Sequence, residues 1–226
     1  MFALLLILFA APQAGPPPDY NKAYDILMAA KVQAYYAKIQ DFKSAFKHIY
    51  TKRFHGPQPV RYGYIWVKKP GKMYWRYDAP KRRIFVCDGS RIWIYTPDKH
   101  QALWRDIQHS KLPSAVKFLW GGGDILADFY VKVLTHSKYG GAGKVVLKLK
   151  PKRPSTHYTH ILFVTTPKGP IAPVVQTIVY DLLGNRNQYT FVHPVLNSRI
   201  LDKRFAFHPP RGTRVIHATD KATTTP

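Results

Sequence analysis

Side chains able to act as nucleophiles, bases or metal ligands are scarce in this chain. All 12 acidic residues are Asp; there is no Glu. That removes HExxH metalloproteases, EF-hand loops closed by Glu and Glu-based glycosidases. A single cysteine, Cys87, excludes an internal disulfide framework and any Cys-rich zinc site. Gly140–Lys144 (GGAGK) invites a phosphate-loop reading, but Lys138 stands where the first Gly is needed. Val145 follows Lys144 where Ser or Thr should bind magnesium, so a loop between strands is the better reading. Ser114-Ala115-Val116-Lys117 fits S-x-x-K, yet no S-D-N or K-T-G partner follows. His157 and His160 fall on a strand-like segment, which would send them to opposite faces. There is no G-x-S-x-G. No set of nucleophile, base and orienter and no metal-ligand cluster is recognisable along the chain, although such sets assemble in space; a hydrolase using Ser114 is the remaining catalytic alternative.

Charge offers a second kind of chemistry. Lys and Arg total 35, giving a formal net charge of +23, which favours anionic partners. The basic residues are scattered singly or in short clusters such as Lys81-Arg82-Arg83, and Lys148-Leu149-Lys150 reads equally well as the solvent face of a strand. Aromatic and basic residues interleave in Tyr74-Trp75-Arg76-Tyr77 and Trp104-Arg105, a pattern that can stack bases and hold phosphates. The same pattern arises when alternate strand residues face core and solvent. A basic module for nucleic acid or lipopolysaccharide is thus an alternative, and a solvated surface is the plainer reading.

At 226 residues and 46% apolar, the chain suits a single domain with a sizeable core. Phe2–Ala11 is an apolar run of signal-peptide length, too short to span a bilayer. Small residues and Pro16-Pro17-Pro18 follow it, so a signal peptide over residues 1–15, cut near Ala14, is expected, although no Lys or Arg precedes the run. A core helix or membrane anchor is the alternative. With secretion, Cys87 would be an inert buried thiol. Residues 16–218 then form one domain, and 219–226 a polar flexible tail.

Within that domain, Asp19 or Asn21 could cap an amphipathic helix reaching about Ile39. From Phe42 the period becomes two, with Phe42, Ser44, Phe46, His48 and Tyr50 on one face. Strand-like runs follow at Val60–Lys68, Met73–Tyr77, Arg83–Cys87 and Arg91–Tyr95, broken by Pro70-Gly71, Asp78-Ala79-Pro80 and Asp88-Gly89-Ser90. This spacing predicts an antiparallel sandwich or barrel. Leu112–Trp120 and Asp124–Leu134 have helical spacing around Gly121-Gly122-Gly123, with Asp124 a cap. Strands resume at Val145–Lys150, Tyr158–Thr165, Val174–Asp181 and Gln188–Pro194, and the last is read at Phe205–His208.

One stretch carries more than pattern. Ile65-Trp66-Val67-Lys68-Lys69-Pro70, then Trp75-Arg76-Tyr77, Pro80, and Asp88-Gly89 running to Trp93, Tyr95 and Pro97, come in a distinctive order. Together with Asp181–Tyr189 and Phe205–Gly212, they closely resemble the periplasmic outer-membrane lipoprotein carrier (LolA-like) family. The resemblance covers most of residues 20–216. It implies a mainly β fold with α: an unclosed, strongly curved antiparallel β-barrel with a helical lid over a hydrophobic cavity. It also implies a periplasmic carrier of lipoprotein acyl chains, taking cargo from an inner-membrane lipoprotein-releasing ABC transporter to the outer membrane or an acceptor there, with no catalytic residues, no metal, no cofactor and no enzyme activity. A monomer without nucleic acid is expected, and a same-fold carrier or sensor of free lipid or glycolipid is the nearest alternative.

On that reading Ile65, Val67, Met73, Trp75 and Tyr77 face the cavity, opposite Phe118, Leu119, Ile125, Leu126 and Phe129 on the lid. Gly121, Gly122 and Gly123 are its hinge. Simple core packing explains any one of these residues as well. The family usually has Arg before the Pro of its K-R-P turn, where it latches the lid. Lys69 stands there in this chain and has no planar fork of donors, so its bonds to lid carbonyls should be less directional.

Overall fold

Period-two alternation in residues 41–107 puts one face of each run in an apolar layer, and each run becomes a strand. The computed structural model describes residues 19–107 and 123–218. The first half contains β1 (Asp41–Lys52), β2 (Gly56–Pro57), β3 (Arg61–Lys68), β4 (Lys72–Ala79), β5 (Arg83–Asp88), β6 (Arg91–Thr96) and β7 (Gln101–Asp106). The second half contains β8 (Phe129–Leu134), β9 (Val145–Pro151), β10 (His160–Thr165), β11 (Val174–Tyr180), β12 (Arg186–Leu196) and β13 (Arg214–His217). Among the described residues two α-helices accompany them, α1 (Ala23–Ala37) and the single turn α2 (Ile125–Asp128).

The strands form one sheet in the order β13-β7-β6-β5-β4-β3-β1-β12-β11-β10-β9-β8, with β2 beside β1. Its ends, β13 and β8, do not pair with each other, so the curved sheet stays unclosed. All pairings are antiparallel except β13 on β7. The long connection after β12 makes that exception possible, since a parallel neighbour needs a crossover. The connection crosses the outer face, where Phe205 is buried and Phe207 packs on Trp93 and Tyr95.

Curvature has local causes. The β1–β12 and β3–β4 registers shift at Lys43/Ala45 and Tyr62/Gly63, and such bulges bend and twist a strand. At Gly63 a Cβ would overlap the Arg76 carbonyl oxygen and lie 2.9 Å from Phe46 Cζ. Only glycine lets the Phe46 ring settle on the sheet there.

The free edge at β8 is covered by the start of α1. Asn21 N–H donates to the Val131 carbonyl at 2.8 Å, and Val131 N–H donates to Asn21 Oδ1 at 2.8 Å. Val133 N–H donates to Asp25 Oδ1 at 2.7 Å, while Asp25 Oδ2 accepts from the Lys22 N–H at 2.9 Å. One buried carboxylate therefore caps the helix and closes a strand edge that would otherwise offer unpaired groups. The cap expected at Asp19 or Asn21 is in fact supplied by Asp25.

Three further expectations are corrected. The helix expected over Asp124–Leu134 is only the turn α2, capped as expected by Asp124 Oδ1, which accepts from Leu126 N–H at 2.8 Å and Ala127 N–H at 3.0 Å. Beyond it, Phe129, Val131 and Val133 alternate with Tyr130, Lys132 and Leu134, and the β-branched pair favours strand β8. The strand expected at Phe205–His208 is replaced by a 3-10 turn over Asp202–Phe205 and by β13 further on; Pro209 and Pro210 lack the N–H donors a ladder needs. Gln101–Asp106, not expected as a strand, pairs with Arg91–Thr96 as β7. The expected helix Leu112–Trp120 and the tail from residue 219 lie outside the described residues.

A candidate apolar cavity

Rows of cross-strand neighbours build the inner face. One runs Phe42–Val67–Met73–Cys87 across β1, β3, β4 and β5; the next runs Ser44–Ile65–Trp75–Phe85. From β12, Phe191 sits opposite Phe46, and Tyr189 opposite His48. The rings meet edge to face: Phe46 lies 5.1 Å from Trp75 and 5.1 Å from Tyr77, Tyr189 lies 5.1 Å from Trp75, and Phe42 lies 5.4 Å from Phe191. Such contacts add to the stabilisation from burial itself. The Trp75 indole N–H is buried without an acceptor among the described residues.

At one end of this face α1 runs over the sheet and leaves a cavity. Tyr36 and Ile39 form its roof; Phe42, Ile65, Val67 and Phe191 form its floor. It holds about 20 Å³, room for roughly one water molecule. Lys69 stands at its rim. Its ammonium donates to the Tyr36 carbonyl at 2.6 Å, and its backbone N–H to the Gln40 carbonyl at 2.8 Å. Partial burial lowers the Lys69 pKa, because the charged form loses hydration.

Deeper in the sheet the inner face carries a polar pair. His48 is buried, with Nδ1 3.2 Å from the Tyr77 hydroxyl and Nε2 3.1 Å from Asn187 Oδ1. Its ring stacks on Tyr189 at 4.2 Å. Burial, aided by the Arg61 charge and opposed by the Asn187 bond, lowers its pKa to about 4, so it is neutral near pH 7. Burial also raises Tyr77 and Tyr189 above the usual phenol range. Cys87 is fully buried, its thiol donates to the Gly71 carbonyl at 3.0 Å, and burial pushes its pKa up to about 11. It is not a reactive thiol.

The residues predicted to line a cavity divide into two groups. Ile65, Val67, Met73, Trp75 and Tyr77 come together in one inner-face cluster. Ile125 and Phe129 are instead buried beneath α1 with Met28, Val32, Val131 and Leu149, and Leu126 packs at that cluster's border. Gly123 precedes α2 and its carbonyl accepts from Gln33 Nε2 of α1 at 3.3 Å. Phe118, Leu119, Gly121 and Gly122 lie outside the described residues. The sequence reading missed Phe85, Tyr189 and Phe191, and did not assign Phe42 and Phe46 to the cavity. The period-two run from Phe42 was the available signal for the last two; β12 is adjacent only through tertiary pairing.

Among the described residues no group of three His, Cys or Asp side chains is placed to hold a metal, and no helix is long and apolar enough to cross a membrane. Comparison with known proteins adds four findings. The family model described as outer membrane lipoprotein carrier protein LolA matches residues 37–208. A protein of Chromohalobacter salexigens named outer-membrane lipoprotein carrier protein is 29% identical over 154 residues, covering 68% of this chain and 70% of that one. One of the same name from Legionella pneumophila (strain Paris) is 24% identical over 217 residues, covering 96% and 98%. Among solved structures, a LolA superfamily protein from Nitrosomonas europaea superposes with a TM-score of 0.44 at 13% identity, over 83% of this chain and 98% of that one.

Proposed function

The chain belongs to the LolA family of outer membrane lipoprotein carriers, and from that premise we propose that it shelters lipoprotein acyl chains on the inner face of its sheet. The family is one of carriers, and the proposed work is sequestration without bond chemistry. We place that work in the periplasm, after removal of residues 1–15. There the protein takes cargo from an inner-membrane ABC transporter and yields it to the outer membrane or an acceptor on it.

The observation that carries the reading is the apolar inner face closed at its mouth by the end of α1. An exposed acyl chain costs about 0.8 kcal/mol per methylene, so a dozen methylenes in water cost roughly 10 kcal/mol. The cavity of about 20 Å³ cannot admit such a chain, so loading requires the Tyr36 end of α1 to leave the sheet. Opening breaks the Lys69–Tyr36 bond, and a hydrogen bond from a charged donor is worth about 1.5–3 kcal/mol. Burial of a few methylenes offsets that loss. In this reading Lys69 is the latch: firm enough to close the empty carrier, weak enough for cargo to open it.

The test is native mass spectrometry of the mature protein from a periplasmic fraction, beside Phe42→Asp and Phe191→Asp variants. Both residues line the cavity and are only partly buried, so the fold should tolerate them. Bound diacylglyceryl-modified protein, lost in the variants, supports the carrier. Free lipid alone would favour the same-fold lipid carrier. A protein that is empty and refuses acyl probes would refute both.

A further inference from the structure

The opposite face of the sheet carries a second, differently made site. Cross-strand register sets Val195, Lys43, Trp66 and Tyr74 side by side on β12, β1, β3 and β4. The arm that follows β12 is pinned across this face. Asp41 accepts the N–H groups of Ser198 at 2.7 Å and Ile200 at 3.2 Å. Lys68 Nζ donates to the Ile200 carbonyl at 2.8 Å, and Asp202 bridges Lys68 at 2.6 Å and Lys72 at 2.8 Å. Between arm and strands lies a cleft of about 430 Å³, lined by Lys43, Trp66, Tyr74, Leu201, Lys203 and Arg204.

Its chemistry is not that of the inner face. The Arg204 guanidinium lies 5.0 Å from the Trp66 ring centre and 5.7 Å from that of Tyr74. Lys43, Lys203 and Arg204 have no carboxylate at ion-pair distance among the described residues, and Asp202 is already shared by two lysines. Apolar surface lies within the cleft and beside it: Leu201 is 63% exposed and Val195 45% exposed. Cations around an aromatic floor match an occupant with carboxylates around a flat or branched apolar side chain. The floor is half-buried and walled by the arm, so an extended chain can reach it with a side chain, whereas a bilayer surface cannot. Arg204 is already held by the rings, so its ordering is not a cost of binding.

We propose that this cleft is a docking site for an acidic peptide segment of a protein partner. Carboxylates meet Lys43, Lys203 and Arg204, and an apolar side chain rests on Trp66, Tyr74 and Leu201. The site is independent of acyl binding, being on the other side of the sheet.

The experiment is fluorescence anisotropy of the full mature protein with a fluorescein-labelled hexapeptide of aspartates flanking Phe and Leu. Its Asn counterpart and vesicles containing phosphatidylglycerol are measured alongside. The aspartate peptide should bind, weaken about tenfold between roughly 50 and 300 mM salt, and outcompete the Asn peptide. Lys203→Ser with Arg204→Ser should abolish binding, as should Lys43→Ser on its separate strand. Lys168→Ser, on an exposed loop, should leave it intact, and all variants should keep their melting temperature and acyl-probe binding. Equal binding of the two peptides, no effect of either cleft variant, or vesicle binding lost in the cleft variants while the peptide does not bind would each overturn the proposal.

Discussion

Replacing Lys69 with Met keeps the length of the side chain and its apolar stem but removes the ammonium that donates to the Tyr36 carbonyl at 2.6 Å. The carbonyl stays at the rim of the cavity, where water can reach it once the ammonium is gone. The net loss is therefore smaller than the full value of a charge-assisted bond, about 1–2 kcal/mol. If that bond weighs on the closed side of an opening equilibrium, its loss shifts the balance towards the open form by about 5- to 30-fold. Apparent acyl affinity rises by the same factor as the competent fraction grows, until the open form dominates. The assay is titration with a fluorescent fatty acid, read for Kd and for release rate into vesicles. Lys69→Met should bind more tightly, through faster association, at a nearly unchanged release rate, with global stability lowered by no more than about 2 kcal/mol. Lys69→Arg should stay near the parent or hold the lid more firmly, since its fork presents several donors. Unchanged or weaker acyl affinity in Lys69→Met, with stability lost as the bond predicts, would refute the latch and leave Lys69 a structural residue.

The remaining predictions concern the frame around the cavity. His48, lowered to about 4 by burial, binds no proton in the folded state between about pH 6.5 and 4 while the unfolded chain does. Its contribution is complete above pH 6.5 and lost as pH falls towards 4, amounting to no more than about 2–3 kcal/mol; His48→Gln should flatten that part of a denaturation-against-pH profile. Gly63→Val drives a side chain into the Arg76 carbonyl and Phe46 and should cost about 3 kcal/mol or more in urea unfolding. Asp25→Ala removes the helix cap and the acceptor for Val133. It should cost about 1–3 kcal/mol and speed hydrogen exchange at the Val133 amide more than at Val131, which keeps Asn21.

Much of the architecture is legible in the chain because its cause is local. Alternation from Phe42 onward, broken by Pro70-Gly71, Asp78-Ala79-Pro80 and Asp88-Gly89-Ser90, predicts the meander of β1 and β3–β6, and hydrogen bonds then form between neighbours in sequence. The same alternation places Ile65, Val67, Met73, Trp75 and Tyr77 on one face, as found. Local pattern fails where two periods compete. Asp124–Leu134 satisfies helical spacing, yet Phe129–Leu134 also alternates, and the open edge of β9 decides for strand.

What the sequence by itself determined is the composition of the layers: alternating apolar faces, broken by Pro- and Gly-containing turns, that bury one side of each strand. Only the tertiary structure decided which faces meet. Pairing β12 with β1 brings Tyr189 and Phe191 against Phe46 across about 145 residues of chain, and no local signal encodes that. Packing likewise set Ile125 and Phe129 against Met28 and Val32 of α1. The arm that crosses the outer face turned Trp66, Tyr74 and Arg204 from separate surface residues into one cleft. Periodicity says which side of a strand is apolar; long-range pairing says what that side faces.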